Sequence, residues 1–229
     1  MWKAAKHGCL DQVEQFLAKA NLEKNCVGHF GNRKWTILGA AVSSGNIKLI
    51  KRLLQHDVFK NEAKCNGESL LHIATVSNHS HIIKFLVNRF PGLRSEICKS
   101  RFPKLDLLET AVSGGFLQCV KTLAGFGAQV DAINGLNSST LLHTSALNEQ
   151  FETAKYLLEN FSDVRDMIDE ENDDGDTALD YALGKKNWKM AELIIKYMQA
   201  SEENRDIFQT IYSHQELFHL DIVALQQGQ

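Results

Sequence analysis

Apolar residues recur along this chain as pairs of clusters in a fixed order. The first cluster of each pair is Trp35-Thr-Ile-Leu-Gly-Ala-Ala41, Glu68-Ser-Leu-Leu-His-Ile-Ala74, Leu105-Asp-Leu-Leu-Glu-Thr-Ala111, Ser139-Thr-Leu-Leu-His-Thr-Ser145 and Asp176-Thr-Ala-Leu-Asp-Tyr-Ala182. The aligned positions Gly39, His72, Glu109, His143 and Asp180 lie 33, 37, 34 and 37 residues apart. A partial copy, Lys3-Ala-Ala-Lys-His-Gly8, precedes the first, with Ala4 aligned to Ala41. The second clusters are Val13/Phe16/Leu17, Ile50/Leu53/Leu54, Ile83/Leu86/Val87, Val120/Leu123/Ala124, Ala154/Leu157/Leu158 and Ala191/Ile194/Ile195. Their i, i+3, i+4 spacing is that of a helix burying one stripe. Each copy is therefore expected to hold two short helices.

Small residues support that expectation. Ala41, Ala74, Ala111, Ser145 and Ala182 share one position, where a helix must lie close to its neighbour. Gly8, Gly45 and Gly115 fall between the two helices, where a positive φ is easiest for glycine. Asn78 stands there in one copy and tolerates the left-handed region next best. Glu149 and Lys186 depart from the pattern, and backbone strain or a reshaped turn is expected at both. Gly127-Ala-Gln-Val-Asp-Ala132 reads as a turn into an extended segment.

These residues resemble ankyrin repeats, whose signature is Thr-Pro-Leu-His-x-Ala in a period of about 33 residues. The best local matches are Ser69 to Ala74, Thr140 to Ser145 and Gly175 to Ala182, and the resemblance covers about residues 1–197. No copy has Pro at the second signature position, the His position holds Gly39, Glu109 and Asp180 in three copies, and Asp106 to Ala111 is the weakest match. The 37-residue spacings imply extra residues, expected in the hairpin tips before the third and fifth full copies. The resemblance implies an all-α solenoid, a curved stack of helix-turn-helix units joined by hairpin loops. The expected domains are an array over 1–197 and a helical cap over 198–229, where Ser201-Glu-Glu-Asn and Ser213-His-Gln-Glu216 are helix-start patterns. Such a cap closes an open end of the stack.

Composition narrows the class. The chain has 229 residues, 44% of them apolar, which is enough to bury a core. No run approaches eighteen consecutive apolar residues, and the start lacks the apolar stretch of a secretory signal. Five scattered cysteines without a Cys-x-x-Cys pair read as reduced thiols, pointing to a cytoplasmic chain, with the nucleus or a host-cell cytosol as alternatives. The net charge of −3 hides a bipolar chain: residues 1–105 carry 17 Lys and Arg against 7 Asp and Glu, and residues 106–229 carry 8 against 21. The basic residues are scattered rather than set with aromatics in one stripe, so no nucleic-acid partner is expected.

No catalytic, cofactor or metal site is expected. His72, His79 and His81 lie close in sequence, yet no cysteine nearby completes a zinc set. The resemblance implies that His72 and His143 tie helix starts to neighbouring backbone. The acidic run from Asp163 to Asp176 fails as a calcium loop in both registers, because Asp174 occupies the Gly position in one and Tyr181 the final Glu position in the other. No Walker loop, dinucleotide fingerprint or nucleophile elbow occurs. Cys9 and Cys119 read as core positions.

The expected activity is non-catalytic protein binding by a monomer, through a concave face and hairpin tips. The alternative is a targeting or adaptor module of a larger protein: an enzyme adaptor, a channel's cytosolic domain, or a bacterial or viral effector. The resemblance places partner contacts at hairpin tips and on the exposed face of each first helix. Carried onto this sequence, the tips supply Arg33, Trp35, Glu68, Phe102, Leu105, Leu136, Asn137, Asp173, Asp174 and Asp176, and the helices supply Ser43, Ser44, Val76 and Leu147. Trp35 and Phe102 are the expected apolar anchors, since large apolar side chains on loops are costly unless covered.

Overall fold

Among the described residues six helix pairs form in the order the sequence pattern predicts. They are α1 (Trp2–Lys6) with α2 (Leu10–Lys19), α3 (Ile37–Ser43) with α4 (Ile47–Leu53), and α5 (Leu70–Val76) with α6 (Ser80–Arg89). After the short α7 (Arg94–Ile97) come α8 (Leu107–Ser113) with α9 (Leu117–Gly125) and α10 (Leu141–Leu147) with α11 (Phe151–Asn160). The short α12 (Ser162–Asp166) precedes α13 (Ala178–Gly184) and α14 (Trp188–Tyr197). Two antiparallel hairpins lie between the early pairs: β1 (Val27–Phe30) pairs β2 (Arg33–Thr36), and β3 (Lys64–Cys65) pairs β4 (Glu68–Ser69). The computed structural model describes residues 1–19, 27–30, 33–56, 64–65, 68–97, 107–131, 133 and 137–198, with backbone alone at residues 2, 16–19, 27–30, 33–35, 64, 65 and 68. The expected helical cap lies outside the described residues, apart from Met198.

The helix starts follow from short polar side chains placed just ahead of the apolar clusters. Thr36 Oγ1 accepts from the Gly39 N–H at 3.1 Å, and Ser69 Oγ accepts from Leu71 N–H at 3.2 Å. Asn46 and Asn187 cap the second helices of their pairs by accepting from Leu49 and Met190 N–H, both at 3.1 Å. Each cap satisfies an N–H that the helix itself leaves without a partner.

The turn between the two helices has one geometry throughout. Gly8, Gly45, Asn78, Gly115, Glu149 and Lys186 all have positive φ, from 55° at Lys186 to 73° at Gly45. The turns therefore keep their shape at Glu149 and Lys186, and strain replaces glycine's freedom there. In five turns the residue after the positive-φ position donates its N–H to the carbonyl of the small residue: Cys9 to Ala4, His79 to Ala74, Phe116 to Ala111, Gln150 to Ser145 and Asn187 to Ala182, at 2.8–2.9 Å. The small residue thus sits at a close helix contact and also anchors the turn. At Ala41, Ser44 Oγ donates to the carbonyl at 2.7 Å and accepts from Asn46 N–H at 3.4 Å.

Both 37-residue spacings contain short helical pieces that were not expected, and the segment 98–106 before the third full copy lies outside the described residues. The extra residues include short helical pieces placed directly after second helices, Pro91–Leu93 with α7 behind α6 and α12 behind α11. Leu93, Ile97 and Val164 are buried, so these pieces add core rather than lengthen a hairpin tip.

The chain forms two compact units, residues 1–111 with 116–129, and 112–115 with 130–229. In the first, α1 packs on α3, α3 on α5, and α6 on α9. In the second, α10 packs on α13 and α11 on α14. The second clusters from Ile50 to Ile195 are buried except Ala124, which is half-buried near the end of α9. Cys119 is buried, as expected, and burial pushes its thiol up to about 11, which makes it a poor nucleophile. Cys9 differs from the core position expected of it: it is half-buried, just ahead of α2. Among the described residues no helix is long and apolar enough to cross a membrane.

Candidate partner-binding site

Neighbouring copies in the first unit are tied together at their turns. Asn46 Nδ2 donates to the Gly8 carbonyl at 2.9 Å, His79 Nε2 to the Ser43 carbonyl at 3.1 Å, and His81 Nε2 to the Gly45 carbonyl at 3.1 Å. His79 and His81 are thus committed to backbone carbonyls, and among the described residues no three His, Cys, Asp or Glu side chains converge as metal ligands. These bonds fix the first helices side by side. They also account for Ser43 and Ser44, which sequence reasoning placed at the binding face. Both are half-buried: Ser43 Oγ accepts from Ser77 Oγ at 3.4 Å, and Ser44 works inside its own turn.

Val76 occupies the position of Ser43 one copy later and is 43% exposed at the end of α5. Leu147 occupies that position on α10 in the second unit and is 44% exposed. Both stand at the end of helices that are otherwise buried apart from the half-buried His72 on α5. Among the described residues a third large apolar side chain is exposed, Ile133 at 49%, and it was missed. Its signal was present, since it follows the segment read as extended from Gly127 to Ala132.

The tips of the second unit are built by hydrogen bonds. Asn172, 5% exposed, accepts from Asp174 and Asp176 N–H at its Oδ1, both at 3.0 Å, and donates Nδ2 to the Tyr181 hydroxyl at 2.9 Å. Asp173 N–H donates to the Asn137 carbonyl at 3.0 Å, which joins the two neighbouring tips. Four expected residues, Asn137, Asp173, Asp174 and Asp176, therefore come together, with the Asp173 and Asp174 carboxylates exposed. Asp176 is half-buried, and its carbonyl is occupied from two sides, by Asn172 N–H at 3.0 Å and by His143 Nε2 at 3.0 Å. Asn172, the residue on which this tip turns, was not singled out from sequence.

His143 links the tip to the helix start. Its Nδ1 accepts from Thr140 N–H at 3.1 Å, so the ring proton sits on Nε2 and donates to Asp176. Asp180 performs the same capping for α13, accepting from Thr177 N–H at 2.8 Å and from its hydroxyl at 2.6 Å. That shared acceptor role explains how Asp can stand at a His position. Burial at 1% exposure lowers the His143 pKa from 6.5, partly opposed by the Asp176 carbonyl and the Asp176 and Asp180 carboxylates. The lowered value means that the unfolded chain takes up the proton first. His143 therefore contributes stability fully above pH 6.5 and progressively loses it as pH falls through its folded pKa. Urea midpoints of wild type and His143→Gln measured from pH 7.5 down to 5 are expected to converge on acidification; a constant gap contradicts this.

Arg33, Trp35 and Glu68 lie on the second strands of the two hairpins, with Trp35 paired to Gly28, Arg33 to Phe30 and Glu68 to Cys65. Phe102, Leu105 and Leu136 lie outside the described residues.

Comparison with known proteins agrees with this architecture. The family model for Ankyrin repeats (3 copies) matches residues 1–96 and 108–208. The chain is 27% identical over 165 residues to a Transient receptor potential cation channel subfamily A member 1 homolog of Caenorhabditis elegans, covering 70% of this chain and 13% of that protein. It is 28% identical over 160 residues to the Nuclear factor NF-kappa-B p105 subunit of Gallus gallus, covering 69% of this chain and 16% of that protein. The chain thus spans less than a fifth of the length of either. The Notch-regulated ankyrin repeat-containing protein B of Danio rerio is 32% identical over 88 residues, 38% of this chain and 78% of that one. The crystal structure of the human ASB11 ankyrin repeat domain superposes with a TM-score of 0.66 at 21% identity, covering 87% of this chain and 83% of the other. The chain belongs to the ankyrin-repeat family, and its fold is the all-α ankyrin solenoid.

Proposed function

We propose that the chain is a non-catalytic protein-binding module that engages a partner protein through the ends of its first helices and its hairpin tips. The observation that carries this reading is the pair Val76 and Leu147. They are large apolar side chains exposed at the same position of two copies, where exposure costs hydration free energy unless a partner covers them. Hydrogen bonds to backbone groups, several from side chains, hold the turn behind Val76 and the acidic tip at Asp173 and Asp174, so little conformational entropy is lost when a partner docks. Trp35 and Phe102 remain the proposed aromatic anchors, and the opposite charges of the chain's two halves would orient the partner and raise the association rate.

A second reading, a targeting module within a larger protein, draws support from the relatives, of which this chain matches only 13% and 16%. Under either reading the same residues bind. Val76→Asp and Leu147→Asp together are expected to weaken capture of partner proteins from lysate at least tenfold while circular dichroism stays that of wild type. Capture unchanged by the pair would show that neither exposed helix end contributes to binding.

A further inference from the structure

Three second helices in succession carry no acidic residue. α4 reads Ile-Lys-Leu-Ile-Lys-Arg-Leu, α6 reads Ser-His-Ile-Ile-Lys-Phe-Leu-Val-Asn-Arg and α9 reads Leu-Gln-Cys-Val-Lys-Thr-Leu-Ala-Gly. Their apolar stripes are buried, which leaves Lys48, Lys51, Arg52, Lys84 and Lys121 exposed. The helices adjoin one another: Lys51 Nζ lies 5.6 Å from the centre of the Phe85 ring across α4 and α6, and α6 packs on α9. From a neighbouring element, Glu14 on α2 meets Arg52 at 3.0 Å, with both side chains exposed.

This cationic face is not a property of the repeat itself. The equivalent helices of the second unit mix their charges: α11 holds Glu152, Lys155 and Glu159, with Lys155 Nζ 3.9 Å from Glu159, and α14 holds Lys189, Glu192 and Lys196. Like charges gathered on one surface repel each other and favour an anionic occupant.

The chain carries such an occupant. Residues 163–180 hold nine Asp and Glu and one cation, Arg165, whose guanidinium donates to the Leu158 carbonyl at 2.6 Å. Asp163, Asp166, Asp169, Glu170, Glu171, Asp173 and Asp174 are exposed. Across the whole sequence, the first unit has 18 Lys and Arg against 9 Asp and Glu, and the second has 7 against 19. An extended polyanion such as a nucleic acid would be drawn to one unit and repelled by the other. A second copy of the chain matches both.

We propose that the outer face of α4, α6 and α9 docks the acidic 163–180 segment of a second copy of this chain. This replaces the monomer expected from the sequence with a salt-sensitive assembly, and it leaves Val76 and Leu147 to other partners. The contact is built from exposed charges, so it forms at low ionic strength and weakens as the Debye length shrinks to about 3 Å near 1 M salt.

Sedimentation velocity on the full chain tests it. Wild type is expected to show a mass that rises with concentration at low salt and returns to the monomer value at high salt. A basic-face variant (Lys48→Glu, Lys51→Glu, Lys84→Glu) and an acidic-segment variant (Asp169→Lys, Glu170→Lys, Glu171→Lys) should each self-associate at least tenfold more weakly, and their equimolar mixture should recover association. Alanine at the same positions supplies the milder variant should a charge reversal unfold the chain. Wild type that stays monomeric at every concentration and salt, or a mixture that recovers nothing, overturns the proposal. Duplex DNA bound by wild type and lost with the basic-face variant, without self-association, assigns the face to nucleic acid and overturns it equally.

Discussion

Gly45→Ala destabilises the protein by about 2–3 kcal/mol, because two costs fall on one atom. The first is conformational: Gly45 has a φ of 73°, where a Cβ crowds the following carbonyl. The second is steric: the new Cβ would lie 2.7 Å from His79 Cε1 and 2.8 Å from His79 Nε2. The ring cannot move aside without breaking its hydrogen bond to the Ser43 carbonyl, which ties two copies together. The opposite sign is expected at Lys186, exposed at the equivalent turn with a φ of 55°. Lys186→Gly relieves the left-handed strain and is expected to stabilise by roughly 0.5 kcal/mol after glycine's own entropy is counted. Chemical-denaturation midpoints should move in opposite directions for the two variants. A Gly45→Ala midpoint equal to wild type would contradict the tie between copies.

Ala74→Leu is the second large effect, at about 3 kcal/mol of destabilisation. Ala74 is fully buried on α5, between the packed α3 and α6, and its carbonyl accepts from His79 N–H at 2.9 Å. Three added carbons have no space there unless α5 moves away from its neighbours and the turn loses its anchor. The chain supplies its own control, since Ser145 fills the same position in the second unit with its Oγ donating to the Leu142 carbonyl at 2.8 Å. Ala74→Ser should therefore cost about 1 kcal/mol or less, the hydroxyl finding the same kind of partner. Equal unfolding midpoints for Ala74→Leu and Ala74→Ser would show that helix contact does not set the size of this residue.

What could be read in the sequence was whatever leaves a residue-type footprint at a fixed offset. The small-residue position, the positive-φ turn and the apolar stripes all do, so the six helix pairs and even the unusual turns at Glu149 and Lys186 were legible by register. The short helical pieces Pro91–Leu93, α7 and α12 were not, because segments of three to five residues show no periodicity. Among the expected binding residues, Val76 and Leu147 were legible as positions. The internal bonds of Ser43 and Ser44 were not legible, since a short hydroxyl gives no sign of whether it is bonded within the fold. Asn172 was hidden as one amide in an acidic run. Only the backbone path shows that Asp174 and Asp176 N–H converge on its side chain.

The central claim is that the exposed ends of α5 and α10 each contact a partner protein. Site-specific photo-crosslinking tests it most directly, with a photoreactive residue placed in turn at Val76, at Leu147, and at Glu152 and Glu192 on the exposed faces of α11 and α14. Crosslinks to the same partner protein from positions 76 and 147, and none from 152 and 192, are the predicted result. Partner crosslinks from 152 or 192 alone would contradict the account.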